Sequence, residues 1–461
     1  MHSLHKLPKI DVLVAAPELA TLRSALGRSA LTAIARAVVA AARHEARAGD
    51  RVPELAEIVA RVRSSAERRL ATGLRRVVNA TGVLLHTNLG RAPLSAAAIE
   101  NVMRVCAGNS SVELDVETGE RCRRGAHAEA LLAELAGAEA ALVVNNNAAA
   151  VLLGLTALAA GREVVVSRGE LVEIGGGFRI PDILSRSGAT LVEVGTTNRT
   201  RIEDYERATG SSTALWLRVH PSNFTMSGFV ERPRLPELAR AAKAHRVLLL
   251  EDLGGGLVVQ RAADALGDGL SAEPVVQACL AAGVDLVFFS LDKLFGGPQG
   301  GAAVGTRVVV DRLRADPLAR AVRIDKLTLA ALEPVLAAYA RREYDTIPVL
   351  RQLTLPLETL RQRVLAWRTA LDIHATRSEL VESISATGGG TLGAGIPSIA
   401  LAVSARSPDR FARRLREHAV PVVARIEDGR VLLDARTVLD GEDDAVVAAL
   451  RGAFETERWE V

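Results

Sequence analysis

Cysteine, methionine and aromatic residues are scarce in this chain of 461 residues: three Cys, three Met, and only 3% Phe, Tyr and Trp together. Cys106, Cys122 and Cys279 stand far apart and match no CxxC or Cys/His spacing. That excludes a disulfide framework, argues against a metal site and leaves packing as their expected role. With so few rings, the core must be built from Leu, Val, Ala and Ile. No apolar run reaches about 18 residues before Arg, Glu or Gly interrupts it, so no transmembrane helix is expected. The N-terminus also lacks a basic-then-apolar leader pattern, and a cytoplasmic location is expected.

A large net charge is missing too, at +3 overall, but the charge is unevenly spread. Up to Arg76, twelve Arg and two Lys oppose seven Asp or Glu, giving +7 and leaving −4 for the remainder. A basic head can neutralise the phosphates of a nucleic acid and release counterions. It can equally be the solvated face of helices in an Arg-rich composition.

With 49% hydrophobic and 24% charged residues, the rest of the composition is that of a globular protein of more than one domain. Residues 1–74 are expected to form a small helical unit. Residues 7–11 suggest a turn, Arg28 to Arg47 is Ala-rich and helix-forming until Gly49-Asp50, and Leu55, Ile58, Val59 and Val62 recur at helical spacing, with Arg61, Arg68 and Arg69 polar. From Val77 to Pro93 the segment mixes apolar and polar residues and closes on Gly and Pro, as loop and short strand rather than helix. Six apolar runs then alternate with helical stretches: Ala140 to Asn145, Glu163 to Ser167, Thr190 to Val194, Ala214 to Val219, Val247 to Glu251 and Asp285 to Phe289. That pattern predicts a mainly parallel α/β sheet covered on both faces, with ligands at the loops beyond the strand carboxyl ends. The expected division is 1–74 helical, 75–345 catalytic and 346–461 a smaller α/β domain with strands at Val422 to Ile426 and Arg430 to Leu433.

The chemistry concentrates where the last of the six runs meets Ser290-Leu291-Asp292-Lys293 and a Gly/Pro-rich turn. A lysine between an apolar run and a glycine loop can be desolvated, which lowers its pKa and makes its amine a nucleophile toward an aldehyde cofactor such as pyridoxal 5′-phosphate (PLP). A solvated loop lysine would present the same letters. Asp252, ending another strand before Gly254-Gly255-Gly256, is placed to accept from a protonated pyridine nitrogen, or simply to cap a turn. Asn145, Asn146 and Asn147 stand where a strand turns into a helix, as an anion cradle or an ordinary cap. Ser290 offers a hydroxyl near the lysine, and His220, at a third strand end, offers a ring to pack on the cofactor. The cation pairs Arg123-Arg124 and Arg320/Arg323 are by themselves indistinguishable from surface salt-bridge partners.

Taken together and in order, these segments resemble bacterial L-seryl-tRNA(Sec) selenium transferase, selenocysteine synthase. The similar text includes VVNATGVLLHTNLGRAPLS, ELDVETGER, GAEAALVVNNNAAAVLL, RGELVEIGGGFRIPDI, LVEVGTTNRT, SNFTMSGF, DLGGG, DKLFGGPQGG, LARAVRIDKLTLAALE and VARIEDGRVLLDARTV, spanning nearly the whole chain from Leu7. The resemblance implies a fold-type-I PLP-dependent transferase. Lys293 would be the Schiff-base lysine, Asp252 the pyridinium partner, and Arg91, Arg320 and Arg323 the holders of selenophosphate. It also implies a seryl-tRNA(Sec) substrate contacted by the basic head, an aminoacrylyl intermediate, and a homodecamer.

Two places depart from the family pattern: Leu291 stands where glycine is usual, and Cys122-Arg123 replaces Gly-Ser. The position after His220 varies in the family and is Pro221 here, which offers neither a hydroxyl nor a backbone N–H. The rival within the same chemistry is a PLP-dependent lyase acting on a free amino acid or amino sugar, which needs no basic head. From another class, the rival is a tRNA-binding protein with a dead site.

Overall fold

The structure, a computed structural model, describes residues 7–47, 51–70, 73–174, 177–222, 225–260, 273–389 and 395–459. The Gly49-Asp50 helix stop, Gly390, and positions 175–176 and 223–224 of the quoted motifs lie outside them. The chain divides into two units, Met1–Arg76 and Val77–Val461.

In the first unit the helices are Ile10–Ala15, Ala20–Leu26, Arg28–Arg47 and Leu55–Leu70, so the expected turn at 7–11 gives way to helix at Ile10. Leu31, Ile34, Ala35 and Val39 meet Ile58, Val59, Val62 and Ala66 in its core. Spacings of three and four residues put these side chains on one stripe of each helix. Arg61, Arg68 and Arg69 remain exposed on the other face.

The second unit holds two large sheets. Its strands are β1 (Val78–Ala80), β2 (Val83–Leu85), β3 (Ala140–Val144), β4 (Glu163–Ser167), the short β5 and β6 (Glu173–Ile174, Phe178–Arg179), β7 (Thr190–Val194), β8 (Thr213–Val219), β9 (Leu248–Gly254), β10 (Leu286–Ser290), β11 (Gly301–Gly305), β12 (Ser378–Gly388), β13 (Ile396–Val403), β14 (Val422–Glu427) and β15 (Arg430–Asp434). The seven-stranded sheet runs β3-β11-β10-β9-β8-β4-β7, and it is parallel except for β11, which lies antiparallel to both β10 and β3. All six expected strands are in it. β11 was not expected, because Gly301-Ala302-Ala303-Val304-Gly305 looks like the tail of a glycine turn. Glycine is required at its first position, since a Cβ on Gly301 would overlap the Asn146 carbonyl.

Both faces of this sheet are buried. Leu286 and Phe288 pack with Val151 and Leu155 of helix Asn147–Ala159, while Val287 and Phe289 belong to the core on the opposite face. Continuous apolar strands are what double burial demands.

The six-stranded sheet runs β1-β14-β15-β13-β12-β2. β1 and β2 therefore pair with strands of the C-terminal segment, although residues 75–85 were expected to go with the catalytic segment. Val78 and Ala80 share a core with Trp367, Leu401, Phe411, Leu433 and Phe454. Of the three cysteines expected to pack, Cys279 is buried, Cys122 is partly covered, and Cys106 is exposed.

Candidate active site

A cavity of about 280 Å³ opens at the carboxyl ends of β9 and β10 and the start of helix Asn147–Ala159, the place where parallel sheets bind ligands. Its walls include Arg91, Asn146, Asn147, His220, Asp252, Ser290 and Lys293, together with Ser222, Gly254, Asp292, Gln299 and Gly300. Asn145 is not among them. It is exposed beyond β3, and its backbone N–H donates to Val322.

The lysine loop is pinned on both sides of Lys293. Leu291 N–H donates to the Gly300 carbonyl at 2.9 Å, and Leu294 N–H to the Gly255 carbonyl at 3.0 Å. Phe295 is fully buried, stacks on Tyr339 at 4.9 Å and accepts the Tyr339 hydroxyl on its carbonyl at 3.1 Å. The leucine at 291 is compatible with this geometry. Its backbone is not among the positive-φ residues, and its side chain is fully buried against Gly300, so glycine freedom is not used there. Arg91 and Ser222, by contrast, both take φ 61 at the cavity wall, the kind of strained backbone that clusters at working sites.

Lys293 is only 7% exposed. Burial, and then the neighbouring Arg91 guanidinium, push its amine below the usual lysine range, against the pull of Asp252 and Asp292. Asp252, 3% exposed, is pushed up by burial and drawn back by the Asn147 amide, whose Nδ2 donates to Oδ1 at 2.9 Å, and by Lys293. Burial, helped by Arg218 and Arg232, brings the His220 imidazole down to about 4, so it is neutral at pH 7. Its Nδ1 accepts the Ser222 N–H at 3.3 Å. Asn146 accepts the Ala149 N–H at 2.8 Å as an N-cap, the bland reading of that residue. Arg91 Nη1 donates to Asp292 at 2.7 Å.

Behind Asp252, on the other face of β9, Glu251 lies opposite Arg218 on β8, and Glu170 approaches Arg218 from the third side, at 3.7 and 4.0 Å. Burial pushes Glu251 up to about 8 and Glu170 to about 7.

Three buried polar atoms at this cavity have no hydrogen-bond partner among the described residues: Asn147 Oδ1, His220 Nε2 and Arg91 Nε. Such orphans are rare in a finished interior and suit a site shaped for a polar guest. With a desolvated amine, a buried acid and a helix N-terminus in one cavity, the residues fit PLP.

Arg320 and Arg323 line a second cavity of about 310 Å³ with Glu113, Cys122, Arg123, Arg124, Glu129 and Arg314. The structure therefore does not place Arg91 with the other two arginines in one cavity. The two cavities flank the same strand end, since Val144 lines one and Asn146 the other. Glu113, which belongs to the quoted ELDVETGER segment but carried no role by itself, accepts from Arg124 and Arg323, and Cys122 joins the same wall. Asp292 and Ser222 were also not singled out; adjacency to Lys293 was the one available signal for the former.

The family model described as L-seryl-tRNA selenium transferase matches residues 77–439, and one described as selenocysteine synthase N terminal matches residues 4–43. The chain belongs to the L-seryl-tRNA selenium transferase family. Named members of the family are similar over almost their full length. The chain is 47% identical to L-seryl-tRNA(Sec) selenium transferase of Geobacter sulfurreducens, covering 97% of this chain and 98% of the relative. It is 43% identical to that of Hyphomonas neptunium, over 97% and 98%. Among solved structures, D-glucosaminate-6-phosphate ammonia-lyase superposes with a TM-score of 0.60 at 22% identity, covering 85% of this chain and 98% of that one. The fold of this selenium transferase family member is that of fold-type-I PLP enzymes.

Proposed function

We propose that this chain converts seryl-tRNA(Sec) to selenocysteinyl-tRNA(Sec), with PLP held at Lys293 and selenophosphate as the selenium donor. The observation that carries the reading is the desolvated Lys293 amine beside the buried, Asn147-bonded Asp252, in a chain of this family. Lys293 is the residue that would bind the cofactor aldehyde, Asp252 the pyridine nitrogen, His220 the ring face, and the N–H groups of Asn147 and Ala148, with Ser290, the phosphate. Bound there, the cofactor supplies an aldehyde that captures an amine and a cationic ring that draws electron density from the substrate α-carbon.

The chain's own residues do the rest. Once free of the aldehyde, the Lys293 amine takes the proton from the seryl α-carbon and later returns it, a task suited to an amine that burial keeps below the lysine range. Burial pushes the Asp252 carboxyl up, the Asn147 amide and Lys293 draw it back towards the anion, and Asn147 fixes its orientation. Arg320 and Arg323, with Arg91 on the nearer wall, hold the anionic donor while the seryl hydroxyl is exchanged for selenium and phosphate is released.

The basic head, residues 1–74, would contact the tRNA, supported by the +7 charge of residues 1–76 and by exposed Arg61, Arg68 and Arg69. A homodecamer is proposed from the resemblance, and exposed Met103, Val116 and Phe229 supply apolar surface for association. Among the described residues no helix is long and apolar enough to cross a membrane, and a charged-tRNA substrate fits a cytoplasmic site of action. The test is conversion in vitro: full-length protein, PLP, seryl-tRNA(Sec) and radiolabelled selenophosphate. Selenium should appear on the tRNA as selenocysteine. Release of ammonia from free serine or an amino sugar, with the tRNA unchanged, would favour the lyase instead.

A further inference from the structure

Two acids sit among the arginines of the second cavity, and they are held differently. Glu129 is 4% exposed; its Oε1 accepts the Val143 backbone N–H at 3.2 Å, and its Oε2 takes Arg123 and Arg314. A carboxylate tied to strand backbone is a fixed part of the wall. Glu113 lacks that tie. Its side chain is 26% exposed, and among the described residues the partners of its carboxylate are all guanidinium groups. Oε1 accepts from Arg124 Nε at 3.0 Å and Arg323 Nη1 at 3.1 Å, and Oε2 from Arg121 Nη2 at 3.0 Å. The Arg121 hydrogen bond, with Arg124 and Arg323, holds the carboxyl below the usual range, so it is ionised at neutral pH. Beside it the Arg320 side chain is exposed and takes no carboxylate among the described residues.

The donors that would grip a tetrahedral oxyanion are thus already engaged by a planar carboxylate of the chain itself. We propose that Glu113 is a built-in occupant of the oxyanion cavity, displaced by an incoming dianion, and that it thereby selects multiply charged tetrahedral oxyanions over monoanions. An entering monoanion exchanges one negative charge for another and gains nothing over the resident carboxylate. A dianion with three free oxygens engages Arg124, Arg323 and Arg320 together, which offsets the loss of the Glu113 contacts. Only the side chain has to swing, because Cys122 N–H donates to the Glu113 carbonyl at 3.1 Å and Leu114 bridges Arg121, keeping the backbone in place.

This inference rests on the proposed anion-holding role of Arg320 and Arg323, and the experiment separates the two. Inorganic phosphate and acetate are titrated calorimetrically into full-length, PLP-loaded protein as wild type, Glu113→Gln and Arg323→Ala. Loss of a competing charge at a partly exposed site should tighten phosphate binding about three- to tenfold in Glu113→Gln and tighten acetate binding by more, so that the phosphate preference shrinks. Arg323→Ala should weaken phosphate binding about tenfold. If Arg323→Ala weakens phosphate binding but Glu113→Gln leaves it unchanged or weaker, Glu113 only orients the arginines and the inference is overturned. If Arg323→Ala leaves phosphate binding unaltered, the anion-site reading falls, and this inference with it. Glu113→Ala must shift affinity in the same direction as Glu113→Gln, which guards against a variant that is simply misfolded.

Discussion

The two cavities beside β3 are built on opposite electrostatic terms. Around the Lys293 amine the acids Asp252 and Asp292 are buried with it, their charges are suppressed or matched, and three polar atoms have no partner among the described residues. Around Glu113 the groups are partly exposed, and most of the charges are answered by an ion pair. Burial makes the first cavity suited to holding one guest tightly and adjusting the reactivity of an amine, because a low dielectric magnifies every dipole aimed at it. Exchangeable ion pairs make the second suited to an anion that arrives and leaves each turnover.

That contrast can be broken in order of severity. Lys293→Ala removes both nucleophile and base, so selenium transfer should fall about 10⁴-fold or more, and the visible absorbance of bound PLP should disappear. Retention of that absorbance with full turnover would refute the assignment. Asp252→Asn keeps the shape but removes the buried acid, and kcat should drop about 10²–10³-fold with little change in the KM for selenophosphate. An equal loss in KM alone would mean that Asp252 is structural.

Leu291→Gly restores the residue usual in the family at a site where the structure uses none of glycine's freedom. Emptying a fully buried leucine site should cost about 2–4 kcal/mol in chemical denaturation, with turnover of the folded fraction preserved. A gain in stability would show strain at 291 that the backbone does not display.

The next test uses pH. The His220 pKa lies near 4 in the fold and near 6.5 unfolded, so between those values the unfolded chain binds the extra proton. Stability is therefore lost as pH falls from 6.5 towards 4, by up to about 3 kcal/mol from this group at 1.36 kcal/mol per unit. Glu251 and Glu170 act with the opposite sign, holding protons up to about 8 and about 7, so their contribution declines as pH rises through those values. His220→Gln should flatten only the acid side of the stability profile; an unchanged acid limb would place His220 in contact with solvent. Smallest is Arg320→Ala, expected to raise the KM for selenophosphate about tenfold, with the defect shrinking at high salt as befits an exposed cation. A fall in kcat without a KM change would move Arg320 out of the anion site.

Much of this was legible in the residues. The runs 163–167 and 190–194 became strands at those positions, and the acid and lysine assigned to strand ends do meet in one cavity, because apolar runs bounded by glycine leave a sheet little choice of register. What periodicity does not encode is which side of a strand end a loop residue takes. Asn145, Asn146 and Asn147 are adjacent in sequence, yet the first is exposed and does not line the cavity, the second caps a helix and the third bonds Asp252. β11 was hidden by its glycines and alanines. β12 was hidden by its letters, since the buried positions Ser378, Ser385 and Thr387 are polar while Ile384 is exposed. Arg124 stands 11 residues from Glu113, but Arg323 joins them from 210 residues away, a pairing with no local signal at all.

The central claim is that the amine of Lys293 holds the cofactor aldehyde, and reductive trapping tests it most directly. Full-length protein loaded with PLP is reduced with borohydride, digested and mapped by mass spectrometry. The pyridoxyl mass should sit on the peptide containing Lys293 at about one per chain; a label spread over surface lysines, or an unmodified Lys293, would contradict it.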